Sequence, residues 1–415
     1  MDAAIHDTGS RLRLRISAQR RDFVLLALWF GVTFVQFPGD ELLLYPLSLW
    51  YAIAVWRGQR AILPLVARAW FVLLFPLWCF LSIAWAVEPL AALKHAVYLF
   101  LTMMICFQVA VSLTPRQIMH AILLATGVIG VINLLYAVGT GDMGRGIFAQ
   151  KNTMGKNMVV LWIVAFATFL DPGAGRLTRL AALGLAVIAA VMAFASNSAT
   201  AVLLVLASSG ILLVGAIVLR GGLFRTSRLS LAFLFLGIVL IAGSFILPTL
   251  TVDPVEVVLD EFGKDTTLTG RTLLWQYADE QVAENPILGV GAGGFWRYHT
   301  SPLVQRIYFE FFKSPGDVFN FHNAYYEIAV HQGLIGMGLA LIGMAWAVWM
   351  LGLAAFRIGT MPLIYFFTHM TVAMVRTYTE ADFLRPFVLF HMVVWIGALV
   401  SCQALFAQAR TGRRA

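Results

Sequence analysis

Apolar runs of membrane-crossing length recur along this chain from Phe23 almost to its end, with little polar sequence between many of them. A hydrocarbon core of about 30 Å asks for about 20 apolar residues per helical span. Only 12% of the residues are charged and 60% are hydrophobic, with a mean hydropathy of +0.83. A water-soluble domain carries roughly 25% charged residues. Halving that fraction removes the surface a soluble fold presents to water, so much of this surface must face lipid. The expectation is an all-α, polytopic membrane helix bundle of about twelve transmembrane helices.

The spans are expected near 23–38, 41–56, 69–87, 91–112, 117–139, 157–170, 178–195, 199–219, 229–248, 323–353, 361–376 and 386–408. Arg11, Arg13, Arg15, Arg20 and Arg21 precede the first apolar run, and no small-x-small cleavage site follows it. It therefore reads as an uncleaved first span. The positive-inside rule then puts both termini in the cytoplasm, because most Lys and Arg fall on the same side as that N-terminal cluster. This divides the chain into a cytoplasmic tail (1–22), helices 1–9 (23–248), one large periplasmic loop (249–322), helices 10–12 (323–408) and a second cytoplasmic tail (409–415). Cys79, Cys106 and Cys402 are scattered in apolar runs and read as small buried hydrophobes. No zinc-type Cys/His spacing is present, and no nucleic-acid partner is expected.

Eleven of the 29 basic residues remain on the outer side: Lys94, Arg145, Lys151, Lys156, Lys264, Arg271, Arg297, Arg306, Lys313, Arg376 and Arg385. They run against the topological bias. Either nearby carboxylates balance them, or an anionic ligand binds there. Arg145, Lys151 and Lys156 crowd one short outer loop, and Arg376 and Arg385 flank Glu380 and Asp382 in another. Two carboxylates in Glu380-x-Asp382 are too few to claim a metal, and no cofactor is expected.

In the large loop, Asp253, Glu256, Asp260 and Glu261 are spaced for one solvated helix face. Arg271 opens an amphipathic helix that ends near Asn285-Pro286. Gly289, Gly291, Gly293 and Gly294 then allow close backbone approach. The loop closes at His322-Asn323, which enter a very apolar helix. His322 falls at its N-terminus, where exposed N–H groups favour an anion. Glu327 and His331, at i and i+4, share one face of that helix. Ionisable groups inside a span usually face the bundle interior or a wet cavity.

Several of these segments match a family pattern. They are Gly146-Ile147-Phe148-Ala149-Gln150-Lys151-Asn152 with Gly155, and Leu268-Thr269-Gly270-Arg271 with Trp275. Asn285-Pro286, Gly289-x-Gly291 and Phe295-Trp296 follow. His322-Asn323, Glu327, Gly333-Leu334-x-Gly336, Arg376 and Glu380 complete the set. In order and spacing the chain resembles the O-antigen ligase and polysaccharide polymerase superfamily, with most likeness to exopolysaccharide polymerases of the succinoglycan type.

The resemblance implies a GT-C-like glycosyltransferase in the bacterial inner membrane. Its donor and acceptor are glycans on undecaprenyl pyrophosphate, with membrane lipids around them and a chain-length regulator protein as a further partner. It implies His322 and Arg271 as catalytic residues. Arg145, Lys151, Asn152, Lys156, Asn323, Tyr326, Glu327, Arg376, Glu380 and Arg385 are implied to bind substrate. Ligase members need an Arg in the outer turn between the seventh and eighth spans. Here that turn reads Ser196-Asn197-Ser198-Ala199-Thr200, which favours polymerase over ligase and leaves open which residue replaces the Arg.

The rival class is a twelve-span transporter or lipid-linked glycan flippase. A transporter would show two similar halves with helices broken at matching places, and no such symmetry is visible. O-antigen ligase and protein O-oligosaccharyltransferase are the alternatives within the enzyme reading.

Overall fold

The computed structural model describes residues 17–35, 37–219 and 270–412. The expected span at 229–248 and the acidic helix face at 253–261 lie outside these residues. Every regular element among the described residues is helical.

Helix α1 spans Ala18–Phe34, α2 Glu41–Arg68, α3 Leu74–Leu81, α4 Pro89–Ser112 and α5 Pro115–Thr140. They are followed by α6 (Lys151–Leu170), α7 (Arg176–Ala195) and α8 (Ala199–Val214). Two shorter helices then lie in the large loop, α9 (Arg271–Glu284) and α10 (Pro302–Glu310). The chain finishes with α11 (Ala324–Arg357), α12 (Met361–Arg376) and α13 (Leu389–Gly412). At α5, Thr114 and Gln117 form a reciprocal capping box with Pro115 in the first turn, satisfying backbone donors that the helix itself cannot.

Seven described helices are long and apolar enough to cross a membrane, or eight if a bent pair counts as one span. This is a multi-pass membrane protein, but the count of twelve is not reproduced. The spans expected at 41–56 and 69–87 form that bent pair, with an angle of 97° between Glu41–Arg68 and Trp70–Ala84. Residues 361–376 form a helix of only 16 residues, and the first span is a helix of 17. The short outer loop also ends earlier than the apolar pattern suggests. Lys151, Asn152 and Lys156 belong to the first turns of α6, because nothing in Lys151–Asn157 opposes a helix and Gln150 is the extended residue before it.

The core forms where α4, α11, α12 and α13 pack together, with α6 against α12 and α7 against α6. Trp395, Tyr365, Phe366 and Phe107 are fully buried there. A smaller apolar cluster sits beneath the loop helices. Leu274, Tyr277 and Ala278 on α9, Val304, Ile307 and Tyr308 on α10, and Phe295, Phe321 and Val330 compose it. On α9 the buried positions 274, 277, 278 and 281 mark one helical face, so the expected amphipathic helix exists and docks on α11.

Helix α11 is broken at Gly333, whose φ of 64° and ψ of −174° are not helical. Residues 286–290 of the loop pass through the break. Leu334 N donates to Pro286 O at 2.8 Å, Ile335 N to Ile287 O at 3.4 Å, and Val290 N to Val330 O at 3.1 Å. The Trp78 indole donates to Gln332 O at 3.2 Å. Backbone groups freed by the break therefore regain partners, as an apolar interior demands. The approach leaves no room for Cβ atoms. One on Gly289 would meet Gly333 N at 2.5 Å and Gln332 N at 2.6 Å, and one on Gly333 would strike the Ile287 carbonyl. The Asn285-Pro286…Gly289 and Gly333 motifs are thus two halves of a single crossing.

Candidate active site

The peptide that leads into His322 is held from both sides. Phe321 N donates to Glu327 Oε2 at 3.1 Å, and the Trp275 indole donates to Phe321 O at 2.9 Å. The Phe321 ring is fully buried, which contributes about 1.5–3 kcal/mol to holding it there. His322 N then donates to Asn320 Oδ1 at 2.8 Å. With these contacts His322 adopts φ 50°, a left-handed conformation that costs a non-glycine residue about 1–3 kcal/mol and persists only where its surroundings over-determine it.

The ring of His322 is partly buried, and its Nδ1 is buried with no hydrogen-bond partner among the described residues. Burial lowers its pKa from the ordinary histidine value, and the Arg271 guanidinium and Lys156 lower it further. Glu380 and Glu327 oppose them. The balance keeps the imidazole neutral, able to accept a proton. Arg271, the first residue of α9, has no ion-pair partner among the described residues. Burial lowers its affinity for its proton, and Glu380 partly restores it. Lys156 Nζ reaches Glu380 Oε2 at 3.4 Å. His322, Arg271, Lys156 and Glu380, expected from distant segments, are electrostatic neighbours.

Other expected site residues have protein partners. Asn323 caps α11, its Oδ1 accepting from Tyr325 N at 2.9 Å and Tyr326 N at 3.2 Å. Tyr326 stacks on Trp275 with ring centroids 5.8 Å apart. Glu327 accepts from the Trp296 indole at 2.9 Å, and His331 Nε2 lies 3.4 Å away. The expected i, i+4 pair therefore forms, and it anchors the loop.

Arg376 is 4% exposed, donates to Asp382 Oδ2 at 2.6 Å and lies 3.7 Å over the Phe390 ring. Its guanidinium is committed to an internal ion pair, which its sequence position did not reveal. Burial would raise the pKa of Asp382, but Arg376 first, then Lys156, His391 and Arg385, hold it below the usual carboxylate range. Arg385 is exposed. Arg145 is exposed and pairs with Asp142 at 3.0 Å, while Lys151 and Asn152 are exposed at the start of α6. The structure records no contact between these three and the His322 cluster.

The turn at 196–200 packs on α6. A Cβ on Gly155 would meet Ser196 Oγ at 2.8 Å and the Ala201 side chain at 2.9 Å. The glycine of that motif permits this approach.

A family model described as O-antigen ligase matches residues 184–341. The chain is also 28% identical over 323 residues to the exopolysaccharide production protein ExoQ of Rhizobium meliloti (strain 1021), covering 75% of this chain and 71% of that protein. Over these stretches the chain is similar to the O-antigen ligase family and to an exopolysaccharide production protein.

The segment matched by the family model contains Arg271, His322, Glu327 and Gly333. Lys156, Arg376 and Glu380 lie beyond it and join the same region through the fold. Sequence reasoning missed the clamp around His322. Trp275 and Trp296 were visible as motif residues, but only the fold shows that their indoles hold Phe321 and Glu327. Asp382 was visible only as half of a weak acidic pair, and its role depends on the buried Arg376.

Proposed function

We propose that this protein is an inverting glycosyltransferase of GT-C type, polymerising undecaprenyl-pyrophosphate-linked repeat units into an exopolysaccharide or O-antigen. The reaction takes place on the periplasmic face of the bacterial inner membrane, with both termini in the cytoplasm. The observation that carries the reading is the buried His322 Nδ1, without a hydrogen-bond partner among the described residues, in the electrostatic reach of Arg271, a partly buried cation with no ion-pair partner among them.

An acceptor hydroxyl attacks the anomeric carbon of the donor, and its proton passes to the His322 ring. The new C–O bond forms as the bond to pyrophosphate breaks, and the leaving group keeps that electron pair. Arg271 and Lys156 hold the charge that develops, with Arg145 and Lys151 as outer helpers. A preorganised donor of this kind contributes about 3–4 kcal/mol to a barrier. Lys156 supplies the cation that the 196–200 turn lacks. Arg376 supports the site by holding Asp382 and the turn that carries Glu380.

Transfer to lipid A-core is the second reading, favoured by the description of the matching family model. Purified protein incubated with lipid-linked repeat units separates the outcomes. Longer lipid-linked chains support polymerase, transfer to added lipid A-core supports ligase, and no product supports transport. Full-length polymer from His322→Ala and Arg271→Ala proteins at normal abundance would refute the assignment.

A further inference from the structure

Glu327 also lines a cavity of about 560 Å³ to which His322 does not contribute. That is within the roughly 300–1,000 Å³ typical of small-molecule sites. Its walls carry the rings of Trp296, Tyr298 and Phe319, and the Phe319 ring centroid lies 6.0 Å from that of His322. Gln332 also lines it. Gln332 is 2% exposed, and neither its Oε1 nor its Nε2 has a partner among the described residues. An amide buried without hydrogen bonds is costly. A primary amide both donates and accepts, so a hydroxyl, which does the same, completes it better than an anion that only accepts. Glu88, Asp317 and Glu327 share the walls with Arg297 and Arg385, so the cavity has no cationic excess to select an anion.

The cavity continues into a groove of about 520 Å³, which shares Glu88, His95, Gly293 and Arg297 with it. This groove runs along the first turns of α4, one of the candidate membrane spans, where Leu90 is 81% exposed. Its charged groups include Lys94 and Arg297, neither of which forms an ion pair with a described residue. Lys94 and Arg297 thus make a second cationic region at an apolar edge, built from other segments than Arg271 and Lys156.

We propose that the aromatic cavity holds the uncharged saccharide of the acceptor, hydrogen-bonded to Gln332, and that the groove at Lys94 and Arg297 takes the acceptor's anionic lipid end. The assignment rests on the transferase reading and adds to it the place and chemistry of the second substrate. It requires Gln332 to reduce stability for the sake of binding.

The test uses the purified full-length protein in nanodiscs and the producing strain's own repeat-unit oligosaccharide, both released from its lipid and still attached to it. Saturation-transfer NMR and titration read binding without turnover. Gln332→Leu is expected to weaken binding of the released oligosaccharide at least tenfold while the Tm stays level or rises. Lys94 lines the groove and not the cavity, so Lys94→Ala should leave the released oligosaccharide within twofold and weaken the lipid-linked form at least tenfold. Absence of binding to the wild-type protein, or equal binding by Gln332→Leu, overturns the cavity assignment. Equal effects of Lys94→Ala on both ligand forms overturn the groove assignment. Failure of the transferase reading would show separately, as absence of product from wild-type protein that still binds the oligosaccharide.

Discussion

Replacing Glu327 with Gln keeps the side-chain shape and removes one acceptor oxygen. In the native protein Oε1 accepts from the Trp296 indole and Oε2 from Phe321 N, at 2.9 and 3.1 Å. An amide oxygen can keep only one of these donors, and the other then faces an NH₂ group. Hydrogen bonds to charged groups contribute about 1.5–3 kcal/mol, and a buried unpaired donor costs about 1–3 kcal/mol. If about 2 kcal/mol of this is lost from the positioning of His322, the rate falls about 30-fold, since 1.36 kcal/mol is tenfold. Initial rates of chain lengthening, measured on purified protein with lipid-linked repeat units, test the value. The pH profile adds a directional check. Glu327 raises the proton affinity of His322, so Glu327→Gln should move the acid limb to lower pH. A rate within twofold of wild type, or an acid limb shifted upward, would refute the positioning argument.

Wild-type activity should be level near pH 7 and fall only below about 6.5, the ordinary histidine value, because burial and Arg271 lower the His322 pKa; a rate profile from pH 5 to 8 checks this. Trp275→Phe removes the indole bond to Phe321 O, worth about 1 kcal/mol, so turnover should drop roughly fivefold at unchanged abundance on immunoblots. Gly333→Ala should sharply reduce the yield of monodisperse solubilised protein. Its left-handed φ costs about 1–2 kcal/mol in an L-residue, and its Cβ would meet loop backbone. An unchanged elution profile would contradict the crossing.

Membrane character was legible because apolar length is a local property, and α9 was legible because its buried positions repeat at helical spacing. The Glu327–His331 pair followed from the same periodicity. The span count was less accessible. The bend after Arg68 depends on how α2 and the following segment pack, and Arg57 and Arg60 continue within the helix instead of ending it. Counting cations against the topological bias found Arg271 and Lys156, but it could not separate them from Arg376. All three are basic residues near the same loops, and only tertiary structure gives Arg376 to Asp382 and Phe390. Asn323 and Glu327 were noticed as polar residues at a helix entrance. Their work as a cap and an anchor depends on the path of the chain around them.

The bond from Val290 N to Val330 O ties the chain on either side of Trp296, α10, Phe319 and His322 at a single base. The segment between these two valines is therefore a closed cassette, stitched at its root and carrying much of the wall around the aromatic cavity. Exchange of that cassette with the matching segment of a relative, cut at the two valines and leaving the glycine crossing intact, is expected to replace the cavity wall without disturbing the membrane scaffold.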